Sequence, residues 1–424
     1  MKILWLVNIV MPELAEHLGR TPSVFGGWLT GALNAVRAAS HDLIICTTES
    51  RSDILHETVG GVGYYLVPEG TVESMEAHFR VILHTEQPDI VHIYGTEFAH
   101  SWALAKCADV QRTLVTVQGA MTILKNHVYA GLPEKQCRDS LLHKLLRKRR
   151  KGGQSIDLQR QSFKKRAAFE QKLLDHVQYA NGGSDWGNTV AHSINPSLQV
   201  FDCKLILRDS FYLDDRWSQD RCQKHSIITL FSYPIKGFHM FLDALPRILR
   251  VYPDTQVTVI GNQLPWRNYR GIKKWIQDAA PDYNWLIQKK IEALKLKQNL
   301  HFVGHLNESQ IKEFMLQSNV FISASAMENQ STTLGEAMLL GVPSVASAVG
   351  AVPEMIDHGE DGFLYPFDEP ALLAEYVCRI FSDLDLAKRF SEEGHNHAAQ
   401  TYNRENNARN LLNMYETIYN HKQS

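Results

Sequence analysis

Short apolar runs that end in glycine-rich or polar turns and lead into helix-like segments recur along this chain: KILWLVN before GGWLTGALNAVRAA, DIVHIYG before TEFAHSWALAKCA, and then TLVTVQG. Runs of that length read as buried strands, and their alternation with amphipathic segments is the pattern of a parallel sheet covered on both faces by helices. The alternation becomes irregular between residues 120 and 180 and resumes with SIITLFS, TQVTVIG, LHFVG, NVFISAS, PSVAS and DGFLYP. Two doubly wound α/β sheets in tandem account for this, and 424 residues exceed what one core usually holds. The polar, aperiodic stretch KLILRDSFYLDDRWSQDRCQKHS marks the boundary between a first domain, residues 1–210, and a second, residues 211–401. The final NRENNARNLLNMYETIYNHK is helical in pattern, with apolar Leu411, Leu412, Met414, Tyr415, Ile418 and Tyr419.

Overall charge gives no argument for a nucleic-acid partner or an acidic substrate, because 44 lysines and arginines nearly balance 46 aspartates and glutamates, and no nucleic-acid partner is expected. The six cysteines (Cys46, Cys107, Cys137, Cys203, Cys222, Cys378) are scattered without a C-x-x-C pair, which argues against a structural zinc site or a disulfide framework and for a reducing, cytoplasmic setting. The opening MKILWLVNIVMPE has one lysine before its apolar run and no small-residue cleavage site, so it reads as a first buried strand. Nowhere do about 18 apolar residues run together, so any membrane contact is expected to be peripheral.

Open α/β sheets bind ligands beyond the carboxyl ends of their strands, which directs attention to the turns. After NVFISAS the chain enters the helix TTLGEAMLL, stopped by Gly341 and Pro343. The free N–H groups of the first turn, at Thr332, Thr333 and Leu334, form an anion site at the positive end of the helix dipole. Glu328 lies on the approach and Glu336 one turn inside, so a phosphate between them would have carboxylates on either side to accept hydrogen bonds from sugar hydroxyls. Thr333 and Glu336 also fit the capping box T-x-x-E, which needs no ligand, and spacing does not separate the two readings.

The residues Glu328, Glu336, Ala337, Met338, Gly341, Pro343 and Gly350, followed by HGEDGFLYP, resemble the nucleotide-sugar glycosyltransferases of family 4. That family carries a Glu-x7-Glu signature in a strand–loop–helix, followed by EAM, G-x-P and a glycine-rich loop. The resemblance implies the GT-B fold: two facing Rossmann-like domains with parallel sheets and an interdomain cleft, the donor in the second domain, the acceptor mainly in the first, and the helix of residues 402–424 returning to the first. It implies transfer of a sugar from a nucleoside-diphosphate sugar to a saccharide or lipid-linked saccharide with retention of configuration, no cofactor and no obligatory metal. Glu328 would contact the transferred sugar and Glu336 the ribose, Lys236 in FSYPIKGFHMF would pair with the donor diphosphate, and Gly26 and Gly27 would approach the donor phosphates. Many relatives place an arginine about six residues before that lysine; here Leu230, Phe231 and Ser232 occupy the region, leaving a second cation unassigned.

Gln118 stands at the end of TLVTVQG, where many relatives have a histidine; it can orient a sugar but cannot titrate, which fits a mechanism in which the leaving diphosphate assists removal of the acceptor proton. His92, Glu97 and His100 of HIYGTEFAH are acceptor-side candidates, although a satisfied structural role is the commoner fate of each. NGGSDWGNTV, YPIKG and VQG point within the family to surface-polysaccharide biosynthesis. The same fold also admits a sugar-nucleotide epimerase, a hydrolase or a non-catalytic binding protein. GGVGYYLVPEG lacks the third glycine of a dinucleotide fingerprint, and Asp383 and Asp385 in SDLDLAKRF read as a solvated helix start and not a metal site. The basic run from His143 to Lys172 is the candidate for peripheral contact with an anionic inner membrane face, against the alternative of a solvated helix face.

Overall fold

The computed structural model describes residues 1–23, 26–139, 155–279 and 281–421. Two parallel sheets form. The first has eight strands in the order β3-β4-β2-β1-β5-β6-β7-β8, from β1 (Lys2–Leu6), β2 (Asp42–Glu49), β3 (Leu55–Val59), β4 (Val62–Pro68), β5 (Ile90–Tyr94), β6 (Thr113–Thr116), β7 (Tyr179–Asn181) and β8 (Gln199–Phe201). All its pairs are parallel except β3 with β4, a hairpin whose turn is Gly60-Gly61, both at positive φ. GGVGYYLVPEG is therefore a hairpin, as paired left-handed turn residues require.

The second sheet has six strands, all parallel, in the order β11-β10-β9-β12-β13-β14: β9 (Ser226–Phe231), β10 (Gln256–Gly261), β11 (Leu300–Gly304), β12 (Val320–Ser323), β13 (Ser344–Ser347) and β14 (Phe363–Tyr365). Strand β9 lies between β10 and β12, so the winding reverses between β9 and β12, and a crevice opens there at the carboxyl ends. In the first sheet the reversal falls between β1 and β5, since β1 pairs with β2 on one side and β5 on the other.

Contacts divide the chain into one unit of residues 1–123, 165–209 and 400–424 and another of 124–164 and 210–399. The C-terminal helix Arg404–Asn420 belongs to the first unit because Leu411, Met414, Tyr415 and Ile418 enter its core beside Trp5 and Tyr94. Tyr415 is the hub: its hydroxyl accepts from Trp5 Nε1 at 3.0 Å and lies 2.8 Å from His92 Nδ1, while His92 Nε2 is 2.8 Å from Thr116 Oγ1.

Residues 124–164, assigned from sequence to the first domain, cluster instead with the second unit. The tie is His239, buried in helix Phe238–Val251, whose Nε2 meets the Ala130 carbonyl at 2.7 Å and whose Nδ1 meets Tyr283 Oη at 2.9 Å. A buried imidazole needs partners for both nitrogens, and the turn at Ala130, held at φ +49°, supplies one.

Burial holds His92 at about 3 and His239 at about 4, both below the ordinary imidazole value. A folded pKa below the unfolded value means that the unfolded chain binds more protons between the two. Each group's stabilisation is then complete above about pH 6.5 and is lost as pH falls toward the folded value, by up to about 1.4 kcal/mol per pH unit. The melting temperature should therefore drop from pH 7 to pH 5, and His92→Gln should show a smaller drop than wild type across that range; equal drops measured by circular dichroism would remove His92 as a contributor.

Candidate functional site

At the reversal point of the second sheet two loops meet. From β9 the chain passes through the 3-10 turn Pro234–Lys236 to Gly237, in the left-handed region at φ +67°, which starts the helix Phe238–Val251. From β12 it passes through Ser325 to Glu328 and then to the helix Thr332–Leu339. Ala326 N–H donates to the Ile235 carbonyl at 2.7 Å, joining the loops, and Gly237 lies so close to the Ala324 carbonyl that a Cβ would overlap its oxygen. Gly350, at φ +55°, lies similarly against the Glu328 carbonyl, which also accepts from Ala351 N–H at 3.1 Å. Both glycines are needed for close backbone approach.

That approach brings Lys236 Nζ onto Glu328 Oε1 as an ion pair, with the side chains 24% and 10% exposed respectively. Ser325 Oγ donates to the same Oε1 at 2.6 Å, and the Ser347 hydroxyl holds the Ser325 carbonyl. Burial, the largest single influence, pulls the Lys236 ammonium down, but the Glu328 charge, the Tyr233 hydroxyl and the Glu328 hydrogen bond together outweigh it, so its pKa lies above the usual lysine value and the group is charged at neutral pH. Sequence reasoning missed Ser325; the signal was a hydroxyl residue three before Glu328 in SASAMEN.

The helix beyond starts at Thr332, and its N-cap Ser331 makes no side-chain capping bond. Thr333 is inside the helix, so the capping box T-x-x-E is not formed and the N–H groups of Thr332, Thr333 and Leu334 are first-turn donors. Glu336 is 3% exposed, one turn further in. The position where relatives carry arginine is packed apolar: Phe231 is fully buried, its ring 5.1 Å from Phe238 and 5.6 Å from Phe302.

In the first unit, Asn8 and Gln118 follow β1 and β6, and Asn8 Nδ2 donates to Gln118 Oε1 at 3.2 Å. Gly26 is at φ +73°, which favours glycine, and a Cβ on Gly27 would have to displace the flexible Arg208 side chain. His92 cannot contact an acceptor: it is fully buried, with both ring nitrogens bonded. Glu97 is 2% exposed and its Oε1 takes Arg166 at 2.7 Å, so Arg166, half-buried, directs its charge to a buried carboxylate. Desolvation still raises the Glu97 pKa against the opposing pull of Arg166. His100 Nδ1 lies 3.1 Å from Thr48 Oγ1, and burial lowers its pKa to about 4. Glu170, an acidic residue within the basic run, is fully buried and accepts from Thr96 Oγ1, Thr122 N and Thr122 Oγ1. Residues 143–154, with Lys144, Arg147, Lys148, Arg149, Arg150 and Lys151, lie outside the described residues.

Asp383 caps the helix Leu384–Thr401 through the Leu386 N–H at 3.0 Å. Among the described residues, Asp357, Asp361 and His397 place potential metal-ligand atoms within 4.8 Å of one another. Asp361 already accepts from Asp357 N–H at 2.8 Å and meets His397 Nδ1 at 2.6 Å, which raises the His397 pKa, so the cluster has a structural explanation.

Residues 229–397, which contain the whole lysine–glutamate site, match the family model described as Glycosyl transferases group 1. That segment is similar to the group 1 glycosyltransferases. Curated relatives of the chain include spore coat protein SA of Bacillus subtilis, 26% identical over 43% of this chain and 46% of that one. Another is the phosphatidyl-myo-inositol mannosyltransferase of Mycobacterium tuberculosis, 27% identical over 50% of this chain and 52% of that one. The chain thus spans about half the length of these relatives. Among solved structures, sucrose-phosphate synthase from Thermosynechococcus elongatus is similar over 99% of both chains, with a TM-score of 0.72 at 16% identity. Anabaena HepE in complex with UDP-glucose is similar over 98% of this chain and 100% of its own, with a TM-score of 0.65 at 16% identity. The chain's two sheets therefore share the GT-B fold of these structures.

The close approach at Gly237 has a measurable energy. Gly359 is also left-handed, at φ +86°, but a Cβ there meets nothing within 4 Å. Gly359→Ala should cost about 1–2 kcal/mol from backbone conformation alone. Gly237→Ala should cost roughly 1–3 kcal/mol more, because the added carbon overlaps a carbonyl oxygen. Equal denaturant-unfolding losses would show that the contact with Ala324 is not what requires glycine.

Proposed function

We propose that the chain is a retaining, metal-independent glycosyltransferase that moves a sugar from a nucleoside-diphosphate sugar to a saccharide or lipid-linked saccharide acceptor in surface-polysaccharide biosynthesis. The observation that carries this reading is the meeting of Lys236 and Glu328 at the winding reversal of the second sheet, beside the first turn of Thr332–Leu339. Lys236 and the first-turn N–H groups take the diphosphate, where they stabilise the charge that grows as the glycosidic bond breaks. Glu336 binds the ribose hydroxyls. Glu328, aligned by Ser325, accepts from the transferred sugar once the diphosphate has drawn Lys236 away from it.

Gln118, with Asn8, orients sugar hydroxyls, and the leaving diphosphate takes the acceptor proton. The enzyme acts in the cytoplasm, and the basic run of residues 143–172 gives it peripheral contact with the inner membrane face.

A thermal-shift panel of UDP, GDP, ADP and dTDP tests donor binding, since ligand at about 100 times its dissociation constant stabilises by roughly 2.7 kcal/mol. No shift with any of them, at concentrations up to millimolar, would overturn the donor site. Glu336→Ala should weaken nucleoside diphosphate binding by about 1.5–3 kcal/mol through loss of a charged acceptor. Lys236→Ala should weaken the diphosphate and spare the nucleoside, whereas Glu328→Ala should reduce turnover without weakening the diphosphate, because Lys236 is then unpaired. Equal calorimetric losses for the two glutamate variants would reject this division of roles. Product formed with and without acceptor separates transfer from epimerisation or hydrolysis.

Turnover should persist in EDTA. Loss restored by manganese would transfer attention to Asp383 and Asp385, or to Asp357, Asp361 and His397.

A further inference from the structure

The connection from β10 to the helix Gly271–Ala279 buries Leu264 but exposes Trp266, and the helix exposes two large apolar side chains while burying a glutamine. Ile272 is 77% exposed, Trp275 60% and Trp266 42%, while the polar Gln277 is 1% exposed. Ile272 and Trp275 are three residues apart in the helix and so share a face. A helix that packs its glutamine inward and presents isoleucine and tryptophan outward has the reverse of the arrangement that hydrophobic burial favours, and exposed large apolar groups at this density mark an interaction surface.

The charges on the same stretch select the partner. From Asn262 to Gln277 the sequence NQLPWRNYRGIKKWIQ carries Arg267, Arg270, Lys273 and Lys274 and no acidic residue, in a chain whose net charge is −2. Arg267 pairs with Asp282 at 2.6 Å and Lys274 with Asp278 at 2.8 Å, whereas Arg270 and Lys273 make no ion pair among the described residues. The Lys297 ammonium sits 4.9 Å from the centre of the Trp266 ring and adds a further cation beside it.

We propose that this surface, residues 266–275, docks on an anionic lipid bilayer. Tryptophan, with its apolar ring and N–H donor, is suited to the headgroup boundary, and a short helix with tryptophan and isoleucine beside lysine and arginine has the composition of an interfacial one. Self-association through the same face would oppose like charges. Ile272, the most exposed of the three, has no ring on which a nucleobase could stack and gains most from acyl chains.

Topology gives the docking a use. The connection leaves the carboxyl end of β10, which pairs with β9, and Lys236 follows the carboxyl end of β9, so the lipid-facing segment starts at the same edge of the sheet as the donor site. This use rests on the proposed glycosyltransferase reading; the docking itself does not.

Cosedimentation with vesicles of phosphatidylglycerol and phosphatidylcholine, and of phosphatidylcholine alone, tests it on the full chain with residues 143–172 unaltered. Wild type should bind the anionic vesicles, and binding should weaken as salt rises. Arg270→Ser with Lys273→Ser should lose about thirtyfold in affinity, from about one tenfold step or less per cation. Ile272→Ser with Trp275→Ser should lose at least about tenfold while melting at the wild-type temperature. Unchanged binding in both double variants, or equal wild-type binding to the two vesicle types, would overturn the proposal. So would a sedimentation-velocity dimer that only the apolar variant abolishes, which would make a second copy the occupant, or capture of single-stranded RNA in preference to vesicles. The two readings fail separately: nucleoside diphosphates that leave the melting temperature unchanged while the vesicle results hold would remove the donor site and keep the docking surface.

Discussion

A lysine ammonium and a glutamate carboxylate held together on two different loops set the requirements for much of the second sheet. Lys236 and Glu328 are 92 residues apart, and they meet because β9 and β12 are neighbours and their following loops are joined by the Ala326–Ile235 backbone bond. Each loop must come within contact of a carbonyl oxygen, so glycine is needed at Gly237 and Gly350. Desolvating two charges is costly unless their remaining hydrogen-bonding capacity is met, and Ser325 and Ser347 supply that connection. The pair is thus a structural contact between the two loops; in the function proposed above, an incoming diphosphate would replace the carboxylate as the lysine's partner.

The first unit satisfies its buried polar groups in another way. Trp5, His92, Thr116 and Tyr415 form one chain of hydrogen bonds through the sheet and the C-terminal helix, so that helix is fixed by polar contacts as well as by Leu411, Met414 and Ile418. A second network joins Thr96 and Thr122 to Glu170, and Glu97 to Arg166, at the end of β5. These groups carry the chemistry expected of acceptor contacts, but their hydrogen-bonding capacity is largely used within the protein.

The strands were legible because each buried parallel strand is a continuous apolar run bounded by turn residues, as SIITLF and NVFIS show. The signature from Glu328 to Gly350 was legible for the same local reason: a carboxylate, a helix start and a close-approach glycine follow one another in sequence. From sequence His92 is an acceptor candidate beside the commoner structural role, because a histidine within a strand has the same sequence appearance whether it faces solvent or core; Tyr415, more than 300 residues away, decides it. Glu170 lies buried within the basic run, which charge density along a helix could not indicate because it carries no information on which turn is buried.

The sequence by itself determined that two parallel α/β sheets would form, where the six strands of the second and three of the first lie, and which loop carries the paired glutamates, since these depend on period, turn chemistry and residues close in the chain. Tertiary structure decided the partnerships: Lys236 with Glu328, Ser325 beneath them, His239 tying residues near Ala130 to the second unit, and Gln277 inward while Ile272 and Trp275 face out. Local sequence fixes how each segment folds, but the order in which strands lie side by side determines which distant segments become neighbours, and only that adjacency tells a buried charge from an exposed one.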